Sequence, residues 1–227
     1  MALEFKLPDG ALHHMTMINT PMFFAAMPRT FLDKMLALKP DPATGKPDPA
    51  AIEAFMESHP DNQGQARFLA ANHPPASYTE SAYFGIHTFK FVDRAGKVTL
   101  VRLRFAPEDG EKRLTDAELA SKPADFLESA LLDRVERGPA RWTMILTVGL
   151  AGDPENDPTL TWPDTRQQVK VGTLTITSAM KQTGAACESI NYDPLVMSDG
   201  VEPTDDPVLL FRSPSYAASF NQRVKGK

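Results

Sequence analysis

Arg212, Tyr216 and Arg223 lie in the stretch FRSPSYAASFNQR, and their spacing would set all three on one side of a helix. At about 3.6 residues per turn, Arg212 precedes Tyr216 by one turn and Arg223 follows it by about two. A phenol flanked by guanidinium groups can be held as phenolate, because nearby positive charge lowers a tyrosine pKa of about 10. The same pattern also serves a helix that buries a tyrosine and lets two arginines snorkel. Ser213-Pro214 predicts the start of that helix, since serine caps well and proline's fixed φ suits the first helical position. Two further residues could do chemistry, His87 in GIHTFKF and Asp206 in GVEPTDD. Each also has an ordinary reading. A histidine in an alternating strand is commonly a satisfied core group, and an aspartate before proline is commonly a turn residue.

The elements that must position these residues are legible in the hydrophobic pattern. Residues 3–7 and 14–18 read as two strands turning at Pro8-Asp9-Gly10. Residues 30–38, 49–58 and 63–72 read as helices, the second ended by Pro60. Residues 81–92 and 98–105 alternate with period two around a turn containing Gly96 and predict a hairpin. A helical pair follows near 115–121 and 123–137, then strands at 141–151 and 169–177, separated by a loop rich in proline and aspartate. Residues 186–207 carry no clear period. The sum predicts an α+β fold, an antiparallel β-barrel with inserted helices and long wrapping loops, in one domain over residues 1–227.

Composition excludes several function classes. A formal net charge of −5, with lysines and arginines scattered, argues against a nucleic-acid binder. No window reaches the roughly 18 apolar residues of a membrane span. The N-terminal MALEFKLPDG has no signal-peptide core, so the expected compartment is the cytoplasm, or the periplasm if the true N-terminus lies upstream. The single cysteine, Cys187, cannot form an internal disulfide and is a poor metal-site candidate. Twenty prolines imply long, ordered connections.

Five segments together resemble the catalase family, and within it the small catalase-related haem peroxidases. They are NTPMFF (19–24), GIHTFKF (85–91), the Tyr192-Asp193-Pro194 turn, GVEPTDD (200–206) and residues 212–223, in the family's order and at roughly its spacing. One such segment is weak evidence; five in register over nearly the whole chain are specific. The resemblance implies haem b, ligated through its iron by a tyrosine, which matches Tyr216. It implies that Arg212 keeps that phenol ionised and that His87 and Asp206 hold Arg212 in turn. Arg223 matches an arginine that pairs with a haem propionate, Phe23 and Phe31 match residues packed on the porphyrin, and Tyr192 stands where the family commonly has phenylalanine. The implied substrates are hydrogen peroxide and an organic reductant, in a possible homo-oligomer.

The departures from the family pattern are as informative. The family's distal histidine lies on a segment before the strand that begins here at Leu3, so the chain is expected to be N-terminally incomplete and weakly active as given. His13 and His14 fall within the strand leading into NTPMFF, where alternation predicts that one of them points outward. Ile18 stands where catalases commonly have an asparagine that orients peroxide. The helical C-terminal domain and nucleotide-binding segment of larger catalases have no counterpart in the sequence. Two other functions stay open: a hydroperoxide-converting haem enzyme of the allene oxide synthase kind, and a non-catalytic haem-binding or relic barrel.

Overall fold

The computed structural model describes residues 1–225. Strands β1 (Ala2–Lys6) and β2 (Leu12–Thr16) form a two-stranded antiparallel hairpin. The other five strands are β3 (Tyr83–Val92), β4 (Val98–Pro107), β5 (Ala140–Val148), β6 (Gln168–Ile176) and β7 (Val201–Pro203). They make one sheet in the order β6-β5-β4-β3-β7, antiparallel throughout. The β3–β4 turn closes with Gly96 at φ 80°, a conformation that only glycine adopts freely. Helices α1 (Pro28–Ala37), α2 (Pro49–Ser58) and α3 (Gln63–Ala71) are inserted between β2 and β3. Helices α4 (Asp116–Ser121) and α5 (Phe126–Glu136) join β4 to β5, and α6 (Pro207–Lys225) ends the described chain.

Both sheets bury side chains in one core. Met17, Tyr83, Phe105, Val135, Ala140 and Trp142 are its buried members. Met1, Leu3 and Met15 pack on it from the hairpin, and Leu174 and Ile176 from β6. Trp142 satisfies its indole N–H by donating to the Ser81 carbonyl at 3.2 Å, which lets so large a ring be buried. The predicted strands and inserted helices are present. Among the described residues the hydrogen-bonded sheet does not close into a ring: β6 and β7 are its edges, and the bridge between Ile18 and Phe84 ties the hairpin to β3. Residues 168–173 of β6 are exposed on both faces.

One half-buried arginine organises the long loop after β5. Arg102 donates from Nη2 to the Pro154 carbonyl at 2.9 Å and from Nε to Thr88 Oγ1 at 3.0 Å, and its guanidinium lies 4.8 Å from the Trp162 ring centre. Burial lowers its pKa to about 10, against the pull of Asp206, Asp157 and Asp153, so it stays charged at neutral pH. Gly149 gives Trp162 its place, because a Cβ there would lie 2.7 Å from the indole.

Candidate functional site

The sequence predicts that α6 begins at Ser213-Pro214; in the structure it begins at Pro207. The physical reason is Asp206, whose Oδ1 accepts from the Val208 and Leu209 amides at 2.8 and 3.2 Å, while Pro207 takes the first helical position. Pro214 therefore sits inside the helix and leaves the Leu210 carbonyl without its helical donor. Ser213 caps nothing and instead donates from Oγ to Asp193 Oδ2 at 2.5 Å, which ties the helix to the 192–194 turn.

Along α6, Arg212 and Tyr216 do share a face. Arg212 Nη2 donates to Tyr216 Oη at 2.6 Å and to Thr16 Oγ1 at 2.5 Å, using both of its hydrogens. Thr16 escapes a reading by motif, although period two along β2 puts it on the same side as Ile18. His87 arrives from the sheet. The β3–β4 register shifts between Gly85 and Phe89, and within that bulge Ile86, His87 and Thr88 are all buried. A regular strand would send alternate residues to opposite faces; the bulge re-aims them so that Ile86 and His87 line the same cavity.

The Asp206 carboxylate that starts the helix also accepts from His87 Nδ1 at 2.7 Å through its other oxygen. Burial is the largest influence on His87 and lowers its pKa; the Asp206 bond opposes this and the Arg212 charge adds to it. His87 is thus neutral, with its proton on the nitrogen facing Asp206. Its Nε2 has no hydrogen-bond partner among the described residues. The expected link from Arg212 to His87 is not a direct hydrogen bond here: Arg212 bonds Thr16 and Tyr216 instead.

These residues surround a cavity of about 260 Å3 lined by Thr16, Ile18, Phe23, Phe31, Ile86, His87, Arg212 and Tyr216, among others. Phe23 and Phe31 lie 6.2 Å apart between ring centres and nearly parallel, with Phe24 within 5.4 Å of Phe31. Ile18 puts an apolar wall where an asparagine would offer hydrogen bonds. Arg223 and Tyr192 are not brought to this cavity. Arg223 lies by the Phe220 ring, 5.5 Å from its centre, and lines a neighbouring cleft with Gln182 and Ser189. Tyr192 packs at 5.8 Å on His14. Both histidines of β2 are buried, contrary to the alternation that predicts one outward. The hairpin is covered on both sides: Ser198 donates its amide to His13 Nδ1 at 3.0 Å, and His14 Nε2 pairs with Glu4 at 3.2 Å. Neither lines the cavity.

Comparison with known proteins agrees with this architecture. The family model described as Catalase matches residues 1–227. A catalase-related peroxidase of Synechococcus elongatus is 54% identical over 226 residues, covering 100% of this chain and 67% of that protein. One from Mycolicibacterium paratuberculosis is 33% identical, covering 99% of this chain and 70% of that protein. A solved bacterial catalase superposes with a TM-score of 0.88 at 26% identity, over 98% of this chain and 46% of the other. The chain thus spans about two thirds of the length of these peroxidases and less than half of that catalase. A match along every residue, joined to a relative more than half identical across the same span, makes this chain a member of the catalase family of oxidoreductases.

Proposed function

We propose that the chain forms the proximal part of a haem-dependent peroxidase that consumes hydrogen peroxide with an organic reductant. The observation that carries this reading is the charge-assisted pair of Arg212 and Tyr216, 2.6 Å apart on the wall of an apolar cavity. The residues present fit a porphyrin. Phe23, Phe31, Ile18 and Ile86 supply flat or branched apolar surface, and the polar groups at the wall are few, as in cofactor sites generally. A phenolate is a hard donor suited to ferric iron, so Tyr216 would hold the haem through its iron. Bound haem b would supply the redox chemistry of the iron.

The chain's own residues do the positioning. Arg212 holds the Tyr216 oxygen in place by a hydrogen bond, and Thr16 fixes the second hydrogen of the same guanidinium nitrogen. Asp206 holds His87 in one orientation beside them. Phe23 and Phe31, which line the cavity, would pack against the porphyrin. Arg223 would serve a propionate and Tyr192 would belong to the cofactor site; these two assignments rest on the family resemblance, and both side chains lie outside the cavity wall. No group of the described residues stands over the cavity as an acid–base pair, and Ile18 cannot bond peroxide, so turnover by this chain is weak in this reading. The two sheets represent parts of one antiparallel barrel, supported by their shared core. Exposed apolar side chains on α1, among them Leu32 and Leu36, support assembly into an oligomer.

A hemin titration of the purified chain, followed through the Soret and charge-transfer bands and repeated with Tyr216→Phe, tests the reading. The expected result is one equivalent bound with a ferric tyrosinate spectrum that the variant lacks. Absence of specific uptake would refute it and favour the relic barrel. Rapid consumption of a fatty-acid hydroperoxide alone would favour the rearranging enzyme.

A further inference from the structure

A second, much smaller cavity of about 20 Å3 lies against Arg212 and is lined by His14, Thr16, Gly85, His87 and Pro194 as well. Two buried ring nitrogens of these residues, His14 Nδ1 and His87 Nε2, have no hydrogen-bond partner among the described residues. Their other nitrogens fix the tautomers. A carboxylate only accepts, so the nitrogen facing Asp206 at 2.7 Å and the nitrogen facing Glu4 at 3.2 Å each carry a proton. A neutral imidazole protonated on one nitrogen presents a lone pair at the other. Neither of these nitrogens has a donor among the described residues, and in the neutral form of each ring both are acceptors, which cannot satisfy each other. Each left unpaired would forfeit the hydrogen bond that water gives it in the unfolded chain.

Water resolves this with the right inventory. It brings two O–H donors and needs about 10–15 Å3, which the cavity exceeds. It also needs a donor for its own lone pair. Arg212 has spent both hydrogens of Nη2 on Thr16 and Tyr216, and a guanidinium carries three more on Nε and Nη1. We infer that one water molecule is built into this cavity, donating to His14 Nδ1 and His87 Nε2 and accepting from Arg212. Three partners is the usual number for a buried water. The water joins the Glu4–His14 pair to the Asp206–His87 pair and connects both to Arg212. It supplies the link between Arg212 and His87 that no direct bond makes. Glu4 and His14 thereby become positioning residues for Arg212, and through it for Tyr216. The inference depends on no bound cofactor and stands apart from the haem reading.

A crystal structure of the chain at a resolution that orders waters, with side-chain 15N NMR of its histidines near neutral pH, tests this. The expected map holds one peak within hydrogen-bonding distance, about 2.7–3.2 Å, of both nitrogens. The expected spectra show His14 protonated on Nε2 and His87 on Nδ1. A direct contact between the two rings, a proton on His14 Nδ1, or no density at the cavity would overturn the inference. In His14→Leu the peak is expected to be lost and the His87 Nε2 resonance to move downfield as its donor leaves. Leu3→Ala, in the same hairpin but facing the core, is expected to leave that resonance in place. An unchanged peak in His14→Leu, or equal movement in both variants, would deny His14 its role. If His14→Leu does not fold, the map and tautomers of the unmodified chain decide.

Discussion

At the scale of single residues, Asp206 carries the most structure per atom. One oxygen starts α6 and the other holds His87. Asp206→Ala removes a helix cap and strands a buried imidazole, so urea denaturation should show a loss of about 2–4 kcal/mol. Asp206→Asn keeps a capping oxygen and should lose less. Arg212→Lys keeps the charge but replaces a fork by a point donor that cannot serve Thr16 and Tyr216 in the same geometry. Hemin affinity should fall roughly tenfold, the equivalent of about 1.4 kcal/mol, with Tyr216 intact. A titration indistinguishable from the parent chain would remove Arg212 from the site. The sequence points to Tyr216, Arg212, His87 and Asp206 through motifs. Thr16 and Glu4 carry no motif, because their partners lie 196 and 10 residues away and meet them only in the fold.

Among the elements, β3 and α6 decide the site, and each departs from its regular pattern. The bulge in β3 breaks alternation and turns Ile86 and His87 to one cavity. Helix α6 contains a proline in its interior, and proline with a preceding serine is a start signal in sequence. The true start was masked because Asp206-Pro207 also reads as a turn. The β5-to-loop junction makes a separate prediction. In Gly149→Ala the new methyl would meet the edge of the Trp162 indole at 2.7 Å and the Leu100 Cβ at 3.1 Å, so the ring must shift. The expected cost is about 1–3 kcal/mol with a shifted tryptophan emission. Gly172→Ala, with nothing within 4 Å, should be neutral or slightly stabilising and serves as the control.

For the whole molecule, buried neutral histidines set the response to acid. Burial is the largest cause that lowers the pKa of both His87 and His13. Unfolding frees both to take protons at the ordinary value of about 6.5. The unfolded chain then binds more protons than the folded one as pH falls below that value. Stability is therefore fully present above about pH 6.5 and lost as pH drops, by at most about 1.4 kcal/mol per pH unit for each histidine. Urea midpoints of the apo chain should be flat from neutral to mildly alkaline pH and fall steadily below about 6. His87→Gln should flatten part of that fall. A midpoint that rises on acidification would contradict the neutral assignment.

The sequence by itself determined the elements, the family and the motif residues, because periodicity and loop-borne motifs are local properties of the chain. It predicted an antiparallel β-barrel, and among the described residues the hydrogen-bonded strands form a hairpin and an open five-stranded sheet around one core. Only the tertiary structure decided which motif residues meet. Arg212 and Tyr216 bond at the cavity while Arg223 and Tyr192 lie elsewhere, and His13 and His14 are both buried where a two-faced strand would expose one. The reason is that a bulge, a buried cap and a covering loop each depend on contacts between distant residues. Such contacts have no period, and they exist only once the sheet and helix are packed together.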